Sequence, residues 1–216
     1  MRAHKNELEK RSYSFEVRAE STSEGNIIEG RPIVYNSLTN LGMFDEIIEN
    51  GALASTDLTD VRFLVNHDIS RIPLARSRRN NGNSTMQLNV DNDGMSIRVL
   101  LDTENNADAR SLYSAVQRGD ISGMSFMFSV NDEEWENLES DHPTRHIRSI
   151  GSVVEVSAVT FPAYEATEIN ARSQEALENA RAALENARSL RAPSVDTDEI
   201  ELAKAKTKTL LIGGTK

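Results

Sequence analysis

Apolar and polar residues alternate through much of the chain. Tyr13, Phe15, Val17 and Ala19 fall on one side of the stretch Ser12–Ala19, the two-residue period of a half-buried strand. A polar turn at 21–26 leads to a second strand over Ile27–Tyr35, in which Pro32 predicts a bulge or an edge. Residues 61–66 form a short apolar run that stops at His67. Met86, Leu88 and Val90 alternate, Asp91-Asn92-Asp93-Gly94 follows, and Met95, Ile97, Val99 and Leu101 alternate again, which predicts a tight hairpin. The period becomes helical over about 105–118, where Ala109, Leu112 and Val116 share a face and Gly119 supplies a left-handed stop. Strand alternation returns at 122–130 through Met124, Phe126, Phe128 and Val130. The run at 153–161 (VVEVSAVTF) is apolar at nearly every position, so it predicts a strand covered on both faces and ended by Pro162. Many strands with one convincing helix between them predict a β-rich α+β fold, a barrel or sandwich with helical decoration.

Beyond residue 172 the character changes. Gln174–Ala180 is echoed by Arg181–Ala187, and Leu177, Ala180, Leu184 and Ala187 fall at coiled-coil spacing. Two heptads are too few for a self-sufficient coiled coil, and an isolated amphipathic helix is marginal in water, so a partly ordered appendage is expected. The first residues are polar and charged and are expected to form a loose arm. The predicted organisation is a flexible arm over 1–11, one domain over 12–172 and a helical or disordered tail over 173–216.

Composition narrows the chemistry. A chain of 216 residues buries roughly 70% of its unfolded surface and needs neither metal nor disulfide to fold. It has no cysteine, which excludes disulfide scaffolds, zinc–thiolate sites, iron–sulfur clusters and a cysteine nucleophile. No apolar run approaches the roughly 20 residues of a membrane helix, and the start, MRAHKNELEKR, lacks an apolar signal core, so a soluble, unsecreted chain is expected. The formal charge is −10. From Arg172 onward the tail holds eight basic and seven acidic residues, leaving 16 basic against 27 acidic in the body. Such a body repels phosphate at long range, which argues against nucleic-acid binding; the basic stretch Arg76–Arg79 is short and is expected to be a solvated loop.

Few residues remain that could do chemistry. His4 lies in the arm. His142 and His146 have the spacing of two metal ligands on a helix, but Pro143 stands between them and a strand follows, so surface histidines are expected. His67 ends an apolar strand before a turn, a place where active-site residues sit; a histidine capping the sheet is the ordinary alternative. Alternation sends Met124, Phe126 and Phe128 to the core and turns the Ser125 hydroxyl the other way, with Ser122 and Ser129 as alternatives nearer the strand ends. Glu155 interrupts an otherwise buried run, where a carboxylate costs several kcal/mol unless paired. It is either a charge aimed outward from an edge or an acid that orients an imidazole. Together these residues offer a nucleophile, a base and an orienting acid.

Four stretches, in order, carry a resemblance: Leu41–Leu53 (LGMFDEIIENGAL), Phe63–Asp68 (FLVNHD) with Pro73–Arg76 (PLAR), Arg118–Phe126 (RGDISGMSF) and Glu155–Tyr164 (EVSAVTFPAY). From about Ser12 to Arg172 the chain resembles the caudoviral prohead proteases, tailed-phage enzymes that process capsid shells before DNA packaging. The resemblance implies a serine endopeptidase with a herpesvirus-assemblin-like β-barrel surrounded by helices. It implies His67 as general base, Ser125 as nucleophile and Glu155 as third member, where herpesvirus enzymes use a second histidine. Ala75 and Met127 stand where relatives often have glycine. No cofactor is implied. The implied partners are the phage major capsid protein with its scaffold region, then the portal and a second copy of the chain, inside the prohead in the bacterial cytoplasm, with cleavage of the chain itself. Two other readings stand beside it: a non-enzymatic capsid assembly scaffold with a protease-like fold, and a metal-dependent hydrolase built on His67, His142 and His146.

Overall fold

The computed structural model describes residues 8–13, 17–79, 81–160 and 174–191. In chain order they form β1 (Glu9–Tyr13), β2 (Arg18–Thr22), β3 (Gly25–Val34), β4 (Thr39–Asn40), β5 (Asp45–Ile48), β6 (Asp60–Val65), β7 (Ala75–Arg78), β8 (Met86–Asp91), β9 (Gly94–Leu101), α1 (Ala107–Gln117), β10 (Gly123–Glu136), β11 (Thr144–Val159) and α2 (Gln174–Arg191).

The locally encoded elements stand where the pattern predicts them. β8 and β9 form the expected hairpin, with Asp91 opposite Gly94. Gly94 has φ 135°, and a Cβ there would lie 2.0 Å from the Ile33 carbonyl oxygen, so glycine alone lets β9 start against β3. β3 slips register between Gly30 and Ile33, around Pro32, which has no N–H to give the ladder. In α1 the Asn106 side chain caps the Asp108 and Ala109 N–H groups, Ala109, Leu112 and Val116 are buried, and Gly119 turns out of the helix at φ 78°.

Two sheets share one apolar core. A four-stranded sheet runs β2-β3-β9-β8, and a seven-stranded sheet runs β1-β10-β11-β5-β4, with β6 pairing β11 and β7. Ile28, Ile33, Met95 and Val99 from the first meet Phe63, Met124, Phe126 and Val156 from the second. Among the described residues these sheets are open and do not close into a barrel. The chain is thus β-rich with two helices among the described residues. β11 is long enough for two parallel partners: 144–147 pair with 45–48 in β5, and 155–158 pair with 62–65 in β6. With β10 on its other edge and both faces covered, its second half needs the apolar composition that marks it in the sequence.

Four expectations change. The strand expected over 12–19 is divided: β1 joins β10 in one sheet and β2 joins β3 in the other, so its alternation does not describe one face. Residues 9–11, expected in a loose arm, belong to β1, and Arg11 is only 2% exposed because its charge is met by Glu46, 35 residues away in sequence, together with Glu9. Arg76–Arg78 is no solvated loop; it lies in β7, with Arg76 held by Asp60 at 2.5 and 2.6 Å. The heptad face of α2 finds a partner in its own chain, since Ala180 and Leu184 bury against Phe44, Trp135 and Leu138, so the helix is packed rather than appended. His4 and Pro162 lie outside the described residues. No described helix is long and apolar enough to cross a membrane.

Candidate active site

Three neighbouring strands, β10, β11 and β6, carry the site. Ser125 in β10 lies directly opposite Ser157 in β11, and Ser157 lies opposite Leu64 in β6. Residues two apart on a strand share a face, so Glu155 and Ser157 project to the same side. The register shift between Met127 and Phe128 leaves Val154 without a partner in β10, which keeps both Val153 and Val156 in the core on either side of Glu155.

After β6 the chain reverses sharply. Asn66 and His67 are both left-handed, with φ 52° and 57°, a conformation costing roughly 1 kcal/mol or more for a residue with a Cβ. The end of β11 holds this turn in place. Asn66 N–H donates to Ala158 O at 3.0 Å, Asn66 Oδ1 accepts from Thr160 N–H at 3.0 Å, and His67 N–H donates to Ser157 Oγ at 3.0 Å. Asparagine tolerates the left-handed region better than most residues, which suits it to the position before the histidine.

The turn lays the imidazole across β11 and β10. His67 Nε2 is 2.5 Å from Ser125 Oγ, and Nδ1 is hydrogen-bonded to Glu155 Oε1. The second Glu155 oxygen accepts from Ser157 Oγ at 2.6 Å. Ser125 and Ser157 are fully buried, Glu155 is 2% exposed, and the His67 side chain is 14% exposed. A carboxylate this deep is tolerable because each oxygen has a donor. A buried hydroxyl against an imidazole nitrogen, with a carboxylate on the opposite nitrogen, can remove the hydroxyl proton as oxygen attacks an electrophile and then stabilise the cation that forms.

Ser125 Oγ has a second partner: it donates to the Arg11 carbonyl oxygen at 2.7 Å. Around Arg11 lies a buried ionic cluster. Its guanidinium grips Glu46 at 2.6 and 2.7 Å and meets Glu9 at 2.7 Å. Arg145 grips Glu9 at 2.7 and 2.8 Å, lies 3.0 Å from Glu46, and bonds Glu133 at 2.7 Å through Nε. Burial works to raise the Glu9 pKa, but the Arg11 charge, with the bonds and charge of Arg145, outweighs it and holds the group at about 2. Burial likewise works to lower Arg11 and Arg145, yet both are raised, Arg11 chiefly by Glu46 and Arg145 chiefly by Glu9. The Arg11 guanidinium lies 5.6 Å from the Phe128 ring centre, and that of Arg145 lies 5.8 Å from that of Trp135.

The structure therefore brings His67, Ser125 and Glu155 into one hydrogen-bonded line. It does not bring the histidines together. His142 pairs with Asp45 at 3.0 Å and His146 with Glu49 at 3.2 Å, and no grouping of side chains among the described residues could hold a metal ion. Ser122 is exposed, and the Ser129 hydroxyl bonds Ser152 at 2.9 Å instead of an imidazole. Sequence reasoning missed Ser157, Asn66 and Arg11. Ser157 was open to discovery, being two residues from Glu155 on a strand, whereas the Arg11 contact spans 114 residues and leaves no local trace.

Residues 13–181 match the model of a family described as caudovirus prohead serine protease. The match includes part of α2, in keeping with that helix being packed on the body. No curated protein and no solved structure matches the chain.

Proposed function

The chain belongs to the caudovirus prohead serine protease family, and from that premise we propose that Ser125 is its nucleophile, His67 its general base and Glu155 the acid that orients the base. Family membership makes it a serine endopeptidase with a role in capsid maturation. The observation that carries the residue assignment is the line Ser125 Oγ, His67 Nε2, His67 Nδ1, Glu155 Oε1.

In this reading Glu155 accepts a hydrogen bond from Nδ1–H, which keeps that proton on Nδ1 and leaves the Nε2 lone pair facing Ser125. As Oγ attacks a peptide carbonyl, its proton passes to Nε2, and the imidazolium is stabilised by the buried carboxylate. His67 returns the proton to the leaving amine. Water then enters and loses a proton to His67 as it attacks the acyl carbonyl; the acyl group leaves as the acid, and His67 returns that proton to Ser125 Oγ. Ser157 is a positioning residue: it holds Glu155 by its free oxygen and His67 by its backbone N–H, and so sets the distance between the two.

We further propose that the substrate is the scaffold region of the phage major capsid protein, with self-cleavage alongside, inside the prohead in the bacterial cytoplasm. The portal and a second copy of the chain are further partners in the same reading. The two sheets around one core are taken as a divided counterpart of an assemblin-like barrel. Co-expression with the capsid protein, followed by mass measurement of the products, tests the function. Ser125→Ala is expected to abolish processing while leaving the fold intact. Capsid protein still processed by that variant would remove the nucleophile assignment, and no processing by the unmodified chain would favour the non-enzymatic assembly role.

A further inference from the structure

β10, the strand bearing Ser125, has two edges. β11 takes one of them, and at the other Glu9–Tyr13 of β1 lie opposite Phe128–Met124 in antiparallel register. Among the described residues β1 is the last strand on that side of its sheet, and its five residues pair with this edge. Where β1 passes the nucleophile, the Arg11 carbonyl oxygen accepts the Ser125 hydroxyl.

Two consequences follow for chemistry. With Ser125 fully buried, no second peptide carbonyl can reach its oxygen. The hydroxyl also has one proton and two acceptors, His67 Nε2 at 2.5 Å and Arg11 O at 2.7 Å. A proton committed to Arg11 is not available to the base. The contact runs from Oγ to a carbonyl oxygen, so it engages the nucleophile without setting it up for attack.

The ionic cluster is the latch. β1 brings Arg11 to Glu46 and Glu9 to Arg145, one cation and one anion. With β1 in place the cluster holds Arg11 and Arg145 against Glu9, Glu46 and Glu133; without it Arg145 faces Glu46 and Glu133. Either way the excess is a single negative charge, so β1 can leave without stranding a new one. An exposed strand edge is also the surface to which an extended peptide adds through main-chain hydrogen bonds.

We infer that the β10 edge covered by β1 is the substrate-binding edge. β1 is its intrachain occupant, and an extended peptide strand pairs there in the register of β1 once β1 is displaced, offering its carbonyl where that of Arg11 now lies. This rests on Ser125 being the nucleophile.

A cross-strand lock tests it. The chain has no cysteine, and Lys10 lies directly opposite Met127, so Lys10→Cys with Met127→Cys introduces one disulfide pair that pins β1 to β10. The probe is a small fluorophosphonate, with its adduct on Ser125 followed by mass spectrometry. The reduced form is expected to react at least about tenfold faster than the oxidised form, the equivalent of ~1.4 kcal/mol of pinning. Equal rates in the two forms would overturn the inference. Arg11→Met supplies a second measurement should the double variant not fold: with its grip on Glu46 lost, Ser125 should react faster than in the unmodified chain, and an equal or slower rate counts against the inference. An absence of any Ser125 adduct, in the unmodified chain and in every variant, would overturn the nucleophile assignment itself and this inference with it.

Discussion

Glu155→Gln is the sharpest probe of the site, because the change preserves volume while altering which hydrogen bonds can coexist. In the native arrangement one carboxylate oxygen faces His67 Nδ1 and the other accepts from Ser157 Oγ at 2.6 Å. A glutamine has one acceptor and one donor end, so it must choose. With its oxygen toward His67, its NH2 meets Ser157 Oγ, which already accepts the His67 backbone N–H at 3.0 Å; the Ser157 proton then loses its acceptor. With its oxygen toward Ser157, every group is paired, but the NH2 donates to Nδ1 and forces the proton onto Nε2, where the ring can no longer serve as base. The second arrangement is favoured by about one buried hydrogen bond, roughly 1–2 kcal/mol, which leaves only a small fraction of molecules in the competent tautomer. That fraction also lacks the carboxylate that stabilises the imidazolium, and the combined loss in turnover is expected to be about 10³–10⁴-fold, the scale set by the equivalent change in the serine-protease triad. The assay is cleavage of a capsid-protein peptide at saturating concentration, with unfolding by urea measured in parallel to establish that the variant is folded. A folded variant within tenfold of the unmodified turnover would refute the orienting role and leave Glu155 as a structural charge.

Two further outcomes follow from packing and charge. Leu184→Ala removes a buried contact of α2 with Phe44, Trp135 and Leu138 and should cost about 2–4 kcal/mol, limited by how firmly the helix docks. Trp135 is the sole tryptophan, so its emission should move to the red as α2 loosens, and unchanged emission would deny that contact. Glu9 has its folded pKa depressed from 4.5 to about 2, so its stabilising contribution is complete above about pH 4.5 and is lost as pH falls toward 2. The urea midpoint of the unmodified chain should therefore fall more steeply across that window than the midpoint of Glu9→Gln; parallel slopes would show that the Arg11–Arg145 clamp on Glu9 does not drive acid unfolding.

Local pattern carried a definite part of this protein. The β8–β9 hairpin, α1 with its Gly119 stop, the Pro32 irregularity and the doubly covered second half of β11 are legible because each depends on residues a few positions apart. Those same rules make Ser125 an outward polar residue and Glu155 an anomaly, and with His67 the three offer the residue types of a nucleophile, a base and an orienting acid; the resemblance of four short stretches to a known family is what implies those roles. Two-residue alternation tells which side of a strand a residue takes, but not what lies on that side. Only the packed chain decides that the side of β10 bearing Ser125 meets a left-handed turn arriving 58 residues earlier in sequence, or that a carboxylate 88 residues beyond His67 waits beneath the ring. Ser157, Arg11 and the heptad face of α2 follow the same logic. Their partners are fixed by strand register for Ser157, by the burial of charge against opposite charge for Arg11 and by apolar packing for α2, and none of these exists until distant segments share one sheet and one core.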